Sequence, residues 1–369
     1  MLKSKKFFAA TLAVLALVCS ALVTAPGLAD GGANHQKRNT NYGVSGGNVN
    51  DISRRYCCSG TLGSLVTDGT TQYILSNNHV LARADQAVAG EDVSQPGLID
   101  NNCAVATIVA DFTTAVPLGQ NVDCAIAQLR TGTMNSTGAI EDIGVPSSVT
   151  LVPTVGMSVA KSGRTTGFTT GTVSSVNTSV SVRYSKSCGA NGGTAVSYTN
   201  QVVINSTTFS AGGDSGSLIV TNNSSHNPVA LLFAGSSTST IGNPISEVIT
   251  KLSTRLGRPL TFVGGVAAAS TSTFNTSNAL QPFSPSGAQM PELPEQAVLH
   301  AGEVLDAHRD NLMNTPLVLG VGVGRSDEND TDAAIIVYVD KTTGARPYLP
   351  KSLGGVKVIV QLTDPFVAF

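Results

Sequence analysis

From residue 57 to about 242 the chain alternates short apolar runs with clusters of glycine, asparagine, serine and threonine. The runs include "GTLGSLV" (60–66), "TQYILS" (71–76), "AVATIVADF" (104–112), "CAIAQL" (124–129), "GTVSSV" (171–176), "SVSVRY" (179–184), "QVVIN" (201–205), "SLIV" (217–220) and "PVALLFAG" (228–235). Their length, period-two alternation and β-branched content predict strands, and the even spacing predicts a β architecture long enough for two small barrels. The pattern changes period at "GNPISEVITKLSTRLG". There Asn243 is a cap, Pro244 stands at the first helical position, and Ile245, Val248, Ile249, Leu252 and Leu256 form one apolar stripe before Gly257, which predicts a closing helix. Residues 30–55 are polar and rich in Gly and Asn, and are expected to form an extended lead-in to a main unit over 56–262. Residues 263–291 carry no period and read as a linker. The last segment, 292–369, places Val298, Ala301, Leu305 and Leu312 on one helical face, followed by the runs 317–324, 333–340 and 356–363. That order predicts a small, separate α+β domain.

Composition narrows the class. With 12% charged residues, 38 Gly, no Trp and a net charge of −2, nothing points to nucleic-acid binding. Lys3, Lys5 and Lys6 precede an apolar run over 7–23 and the small-residue stretch "GLA", so residues 1–29 read as a cleaved export signal, with an uncleaved anchor as the alternative. No other segment could span a bilayer, and a secreted or periplasmic monomer is expected. Cys57, Cys58, Cys103, Cys124 and Cys188 remain after cleavage. An odd count in an exported chain leaves at least one thiol unpaired. Adjacent Cys57 and Cys58 are a strained pair, so one of them is expected to reach Cys103 or Cys124. No C-x-x-C pair suggests zinc, and no metal or cofactor is expected.

"STTFSAGGDSGSLIV" (206–220) sets Ser215 between glycines ahead of an apolar run. A serine hydroxyl is a poor nucleophile without a base, and that base is sought among five histidines. His35 lies in the lead-in, His226 in a turn, and His300 and His308 on the helix of the last domain; His79, in "YILSNNHVLARA", follows a buried-looking strand. An imidazole base needs an acceptor on its other nitrogen, and Asp123, a lone carboxylate opening an apolar strand in "NVDCAIAQL", is the candidate.

The order of these pieces, His79, Asp123 and Ser215 at intervals of 44 and 92 residues, resembles the trypsin/chymotrypsin-like serine peptidases. The motifs "SNNHV", "DCAIAQL", "SGRTTGFTTGTV" and "GGDSGSL" carry the resemblance over about 57–256, with a bacterial secreted flavour. The resemblance implies a mainly β fold of two six-stranded antiparallel barrels with a C-terminal helix. It also implies an endopeptidase acting on polypeptides, with Ser215 as nucleophile, His79 as base, Asp123 as its orienter, and Gly213 and Ser215 N–H as the oxyanion hole. The similar bacterial enzymes use the arginine of "SGRTTG" to neutralise the acid before the serine, which implies an Arg164–Asp214 pair. Two departures stand out: no cysteine follows His79, and Phe233 stands where a serine usually supports the triad carboxylate. The specificity pocket is expected around Phe209, Phe233, Ala234 and Gly235, neutral and apolar. A non-catalytic binding protein on the same fold is the alternative. An esterase is disfavoured, because Ser215 is not in a G-x-S-x-G elbow.

Overall fold

In the computed structural model, which describes residues 32–190, 193–265, 292–326 and 331–369, the β-branched runs become strands of two curled sheets. The first holds β1 (Val44–Asn48), β2 (Gly60–Leu62), β3 (Ser64–Thr67), β4 (Gln72–Ser76), β5 (Asp92–Gln95), β6 (Thr107–Ala115) and β7 (Ala125–Leu129). Strands β2 and β3 are one run bent at Gly63: β2 pairs with β1 and β3 with β4. The path from β4 then continues through β7, β6 and β5 back to β1, all antiparallel, and closes a six-stranded barrel when the bent run is counted once. Its interior is apolar, with Leu65, Ile74, Val109 and Ile126 all fully buried.

The second sheet comprises β8 (Ser158–Gly163), β9 (Gly167–Thr172), β10 (Ser175–Ser185), β11 (Gly193–Asn205), β12 (Leu218–Thr221), β13 (Pro228–Gly235) and β14 (Ser239–Pro244). It curls by the same device. β9 bonds β8, β10 bonds β11, and only Val173 and Ser174 separate the two halves of that run. Helix α1 (Asn78–Leu81) is a single turn after β4. Helix α2 (Ile245–Leu256) ends on Gly257 at φ 74°, a left-handed cap suited to glycine. Its Ile245, Val248 and Leu252 join the first barrel's core. β15 (Thr261–Phe262) then adds to β3. Two barrels and a closing helix are thus the architecture the sequence implies. No described helix is long and apolar enough to cross a membrane.

Three expectations need correction. The lead-in over 30–55 is not a loose extension, because β1 sits between β2 and β5 with every residue buried. Its glycines and asparagines hid a strand that lacks an apolar run. Asn243 does not cap α2; it lies within β14, whose last residue, Pro244, occupies the cap position of the helix. Nor is the last segment separate. Helix α3 (Glu295–Met313) and strands β16 (Val318–Arg325), β17 (Ala333–Asp340) and β19 (Val356–Thr363) appear where predicted, and two short strands not predicted, β18 (Ser352–Leu353) and β20 (Phe366–Ala368), join them. However, β16 pairs antiparallel with β10, so the second sheet runs unbroken into this unit. One face of the added strands packs on α3 through Leu305, Val321 and Val337. The other packs on the second barrel, where Ile336, Tyr338 and Phe366 meet Val180, Tyr198 and Phe233. The export signal expected over 1–29 and most of the linker expected over 263–291 lie outside the described residues.

A chain ended at Gly265 would strip β16 from the edge of β10 and uncover that shared apolar face, and such edges template aggregation. Size-exclusion chromatography and thermal melts of this fragment should show aggregation or loss of a cooperative transition. A monomer with an unchanged melting temperature would show that the barrels do not need the C-terminal unit.

Candidate active site

Asp123 enters β7 with no solvent exposure, and a carboxylate buried that deeply requires partners on every lone pair. Two asparagines build the approach. Asn77 Nδ2 donates to the Asp123 carbonyl (2.7 Å), and Asn78 Nδ2 donates to Val116 O (2.8 Å), which fixes the one-turn helix α1 beside β7. His79 follows on that turn. Its N–H reaches Asp123 Oδ1 (3.2 Å) and its Nδ1 donates to Oδ2 at 2.6 Å. The backbone N–H of Asp123 is taken by Asn243 Oδ1 (2.9 Å), whose own amide is held by Gln201 (2.6 Å). The residue read as a helix cap therefore anchors the acid.

The support missing at Phe233 comes from elsewhere. Tyr184, on β10, donates its hydroxyl to Asp123 Oδ2 at 2.8 Å, and Tyr198 on β11 backs it at 2.7 Å. Burial and the Asp123 charge push the Tyr184 phenol far up, so it stays a donor. No motif in the sequence marks this tyrosine; only the β10–β11 pairing brings it under the carboxylate.

Ser215 is brought to the same place from the second barrel. It is fully buried, and its Oγ donates to Phe233 O at 3.2 Å rather than to His79. His79 Nε2 instead meets the main-chain oxygen of Phe369 at 3.0 Å, and the N–H of Phe369 donates to Phe233 O at 3.3 Å. Ser215 and His79 thus flank a single residue of main chain. Burial pulls the His79 imidazole down, but Asp123, the Phe369 oxygen and nearby Asp51 outweigh it, and the net shift is upward. Asp51 is itself pushed up to about 6 by burial, against the pull of His79 and Arg83.

Gly213 has φ 96°, and a Cβ there would stand 2.5 Å from Thr165 Oγ1 and 2.7 Å from Arg164 Nη1, so only glycine fits. Neither Gly213 N–H nor Ser215 N–H has an acceptor among the described residues. Two free amides side by side at a serine are what a developing oxyanion needs.

The expected Arg164–Asp214 pair is not formed. Arg164 turns away and grips Asp100 with Nε and Nη2, both at 2.6 Å. Asp214 is met by Lys161, 3.4 Å away on β8, and both side chains are wholly buried. Thr165 N–H (2.8 Å), Thr166 Oγ1 (2.7 Å) and Ala211 N–H (3.0 Å) complete its shell. Burial holds the Lys161 ammonium below its ordinary value, with Asp214 opposing that shift. Register explains the exchange: β8 aims Lys161 inward, whereas Arg164 lies in the turn beyond it.

The pocket residues divide. Phe209 is buried among Val159, Ile204 and Leu232, with Phe369 packed against that cluster. Gly235 lies beside the Phe369 ring. Phe233 and Ala234 turn their side chains to the opposite, Tyr198 side, so only their main chain faces the site. Cys57 bonds Cys103 and Cys58 bonds Cys188, while Cys124 is free and buried. The Cys58–Cys188 bond ties the segment before β2 to the β10–β11 hairpin, across the mouth of the site.

No family model matches the chain, and no curated protein matches it significantly. Solved structures similar to it include a glutamic acid specific serine protease (22% identity, TM-score 0.41), covering 60% of this chain and 98% of that one. Thermobifida fusca protease A (19%, 0.41) and a Cellulomonas bogoriensis chymotrypsin (16%, 0.40) each cover 61% of this chain and 99% of theirs.

Removing one member of a wholly buried ion pair strands the other. Lys161→Met should therefore cost about 3–5 kcal/mol in a denaturant melt. Equal loss from Arg164→Ala, with none from Lys161→Met, would restore Arg164 as the effective partner of Asp214.

Proposed function

We propose that the protein is an exported serine endopeptidase that cleaves polypeptides through an acyl-enzyme on Ser215. The observation that carries the reading is the convergence on Phe369. One residue of main chain is held by Phe233 O on the Ser215 side and by His79 Nε2 on the other, as a scissile residue would be. With the groove free, Ser215 Oγ turns from Phe233 O to His79 Nε2, which accepts its proton as the oxygen attacks the substrate carbonyl. Asp123 holds the ring and stabilises the imidazolium, and Tyr184 supplies the second bond to that carboxylate. The amides of Gly213 and Ser215 take the oxyanion, and Asp214 with Lys161 keeps their loop in shape without a freed N-terminus. Collapse of the adduct breaks the peptide C–N bond as His79 gives its proton to the leaving amine. A water then attacks the acyl-enzyme, passing its proton to His79, which returns it to the departing Ser215 oxygen. Two disulfides suit an oxidising, extracytoplasmic setting.

Two outcomes test this. Ser215→Ala should fold as the parent does and lose peptide hydrolysis about 10⁴-fold or more, together with labelling by a fluorophosphonate; retained turnover would refute the role of Ser215. The second concerns pH. His79 must be neutral to act, and its value lies above the ordinary 6.5, so its neutral fraction is still below half at that pH. The rate under kcat/KM conditions should then rise through a midpoint above about 6.5 and fall away in acid. A flat profile between pH 5 and 8 would assign the base elsewhere.

A further inference from the structure

The groove at the site just described is filled by the chain itself. After β19, the segment reaches back to the second barrel, and β20 lies between two of its strands. It runs antiparallel to β13, with Ala368 opposite Ala234 and Val367 opposite Gly235. On the other side it runs parallel to β10, with Phe366 opposite Val182 and Val367 opposite Arg183. Phe369 then places its N–H on Phe233 O and its oxygen on His79 Nε2. Its ring packs on the cluster of Phe209, Val173 and Ile204. A Cβ on Gly235 would stand 2.5 Å from the ring's Cζ, so the glycine makes the space that the ring fills. Beyond Phe369 a cleft of about 240 Å³ continues past His79, Gly213 and Cys58.

We infer that Val367, Ala368 and Phe369 form a built-in peptide ligand that blocks the groove and displays the side chains it accepts. The inference rests on the peptidase reading above. Extended main chain beside β13 is β-strand addition, in which main-chain bonds give affinity and alternate side chains give selectivity. The position next to the serine takes an aromatic or large apolar side chain, and the one before it a small residue.

The block also disarms the base. Both His79 nitrogens face acceptors, Asp123 Oδ2 and the Phe369 oxygen, an arrangement that favours hydrogen on both and so opposes acceptance of a proton from Ser215. Tyr184 faces the ring edge from β10, and Asp51, with Arg83 nearby, adds charge from the first barrel. These groups remain when the ligand leaves, whereas the Phe369 acceptor goes with it.

Anchoring makes the block strong. Phe366 is fully buried against Tyr338, Thr363 bonds Ser236 at 2.6 Å, and Asp364 is held by Ser237 and by Lys341 at 3.1 Å. A ligand tethered this closely acts at millimolar effective concentration.

The test compares the full chain with a variant lacking residues 367–369, which keeps Phe366 in its core, and with Phe369→Asp. Circular dichroism melts of each confirm folding. Both variants should hydrolyse a peptide anilide ending Ala-Ala-Phe about tenfold or more faster than the full chain, and should label faster with a fluorophosphonate. The free tetrapeptide Phe-Val-Ala-Phe should inhibit the shortened variant competitively, and Phe-Val-Ala-Asp should not. Equal rates in all three chains, or no inhibition by Phe-Val-Ala-Phe, would overturn the block while leaving the peptidase reading intact. No labelling of Ser215 in any of them would overturn both.

Discussion

Burial of the Asp123 carboxylate is the constraint on which the rest of the structure depends. A charge with no solvent exposure is tolerated only when each oxygen is bonded, and the bonds come from both halves of the molecule. His79 reaches the carboxylate from the first barrel and Tyr184 from the second, while Asn77 and Asn243 hold the Asp123 main chain from the same two sides. The acid therefore fixes the barrels against each other as well as the tautomer of the imidazole. Ser215, carried by the loop before β12, comes to the same groove as His79 because that mutual placement is already set.

The sequence was informative where a local pattern coincides with a structural need. Period-two runs found β13 to the residue and most of β4, β7 and β12, and the α3 stripe fell on Ala301, Leu305 and Leu312. The three catalytic candidates stood out because each sits at the boundary of such a run. What stayed hidden was whatever depends on pairing between distant segments. Strand β1, "VSGGN", has no apolar run because its glycines pack against neighbours such as Leu62. Tyr184 looks like an ordinary strand residue until β10 is placed, and Asn243 mimics a cap because Pro244 follows it. Lys161 and Arg164 are three residues apart, and only the direction of β8 decides which faces Asp214.

The exchange of lysine for arginine has a physical consequence. An arginine fork suits a partly exposed acid, and Arg164 makes two bonds to Asp100, which Ser45 also supports at 2.5 Å. At Asp214 there is room for a single point charge, because backbone amides and Thr166 already occupy the other acceptor directions. Lys161 reaches it along the barrel interior and also bonds Gly167 O at 2.9 Å. The acid beside Ser215 is thus held by groups that the second barrel itself supplies.

Strand β10 ties these features together. Its Tyr184 faces Asp123, one edge accepts β11, and its other edge is shared along its length by β16 and β20. The segment in the groove is therefore part of the same sheet that supports Asp123. Emptying the groove requires breaking the short β20 pairings and withdrawing one aromatic ring, whereas the long β10–β16 ladder and the Phe366 contact with Tyr338 can persist. The work of opening falls on residues 367–369 alone. Under the proposed self-block, that asymmetry leaves one strand as a fixed wall of the site while its neighbour gives way to a substrate.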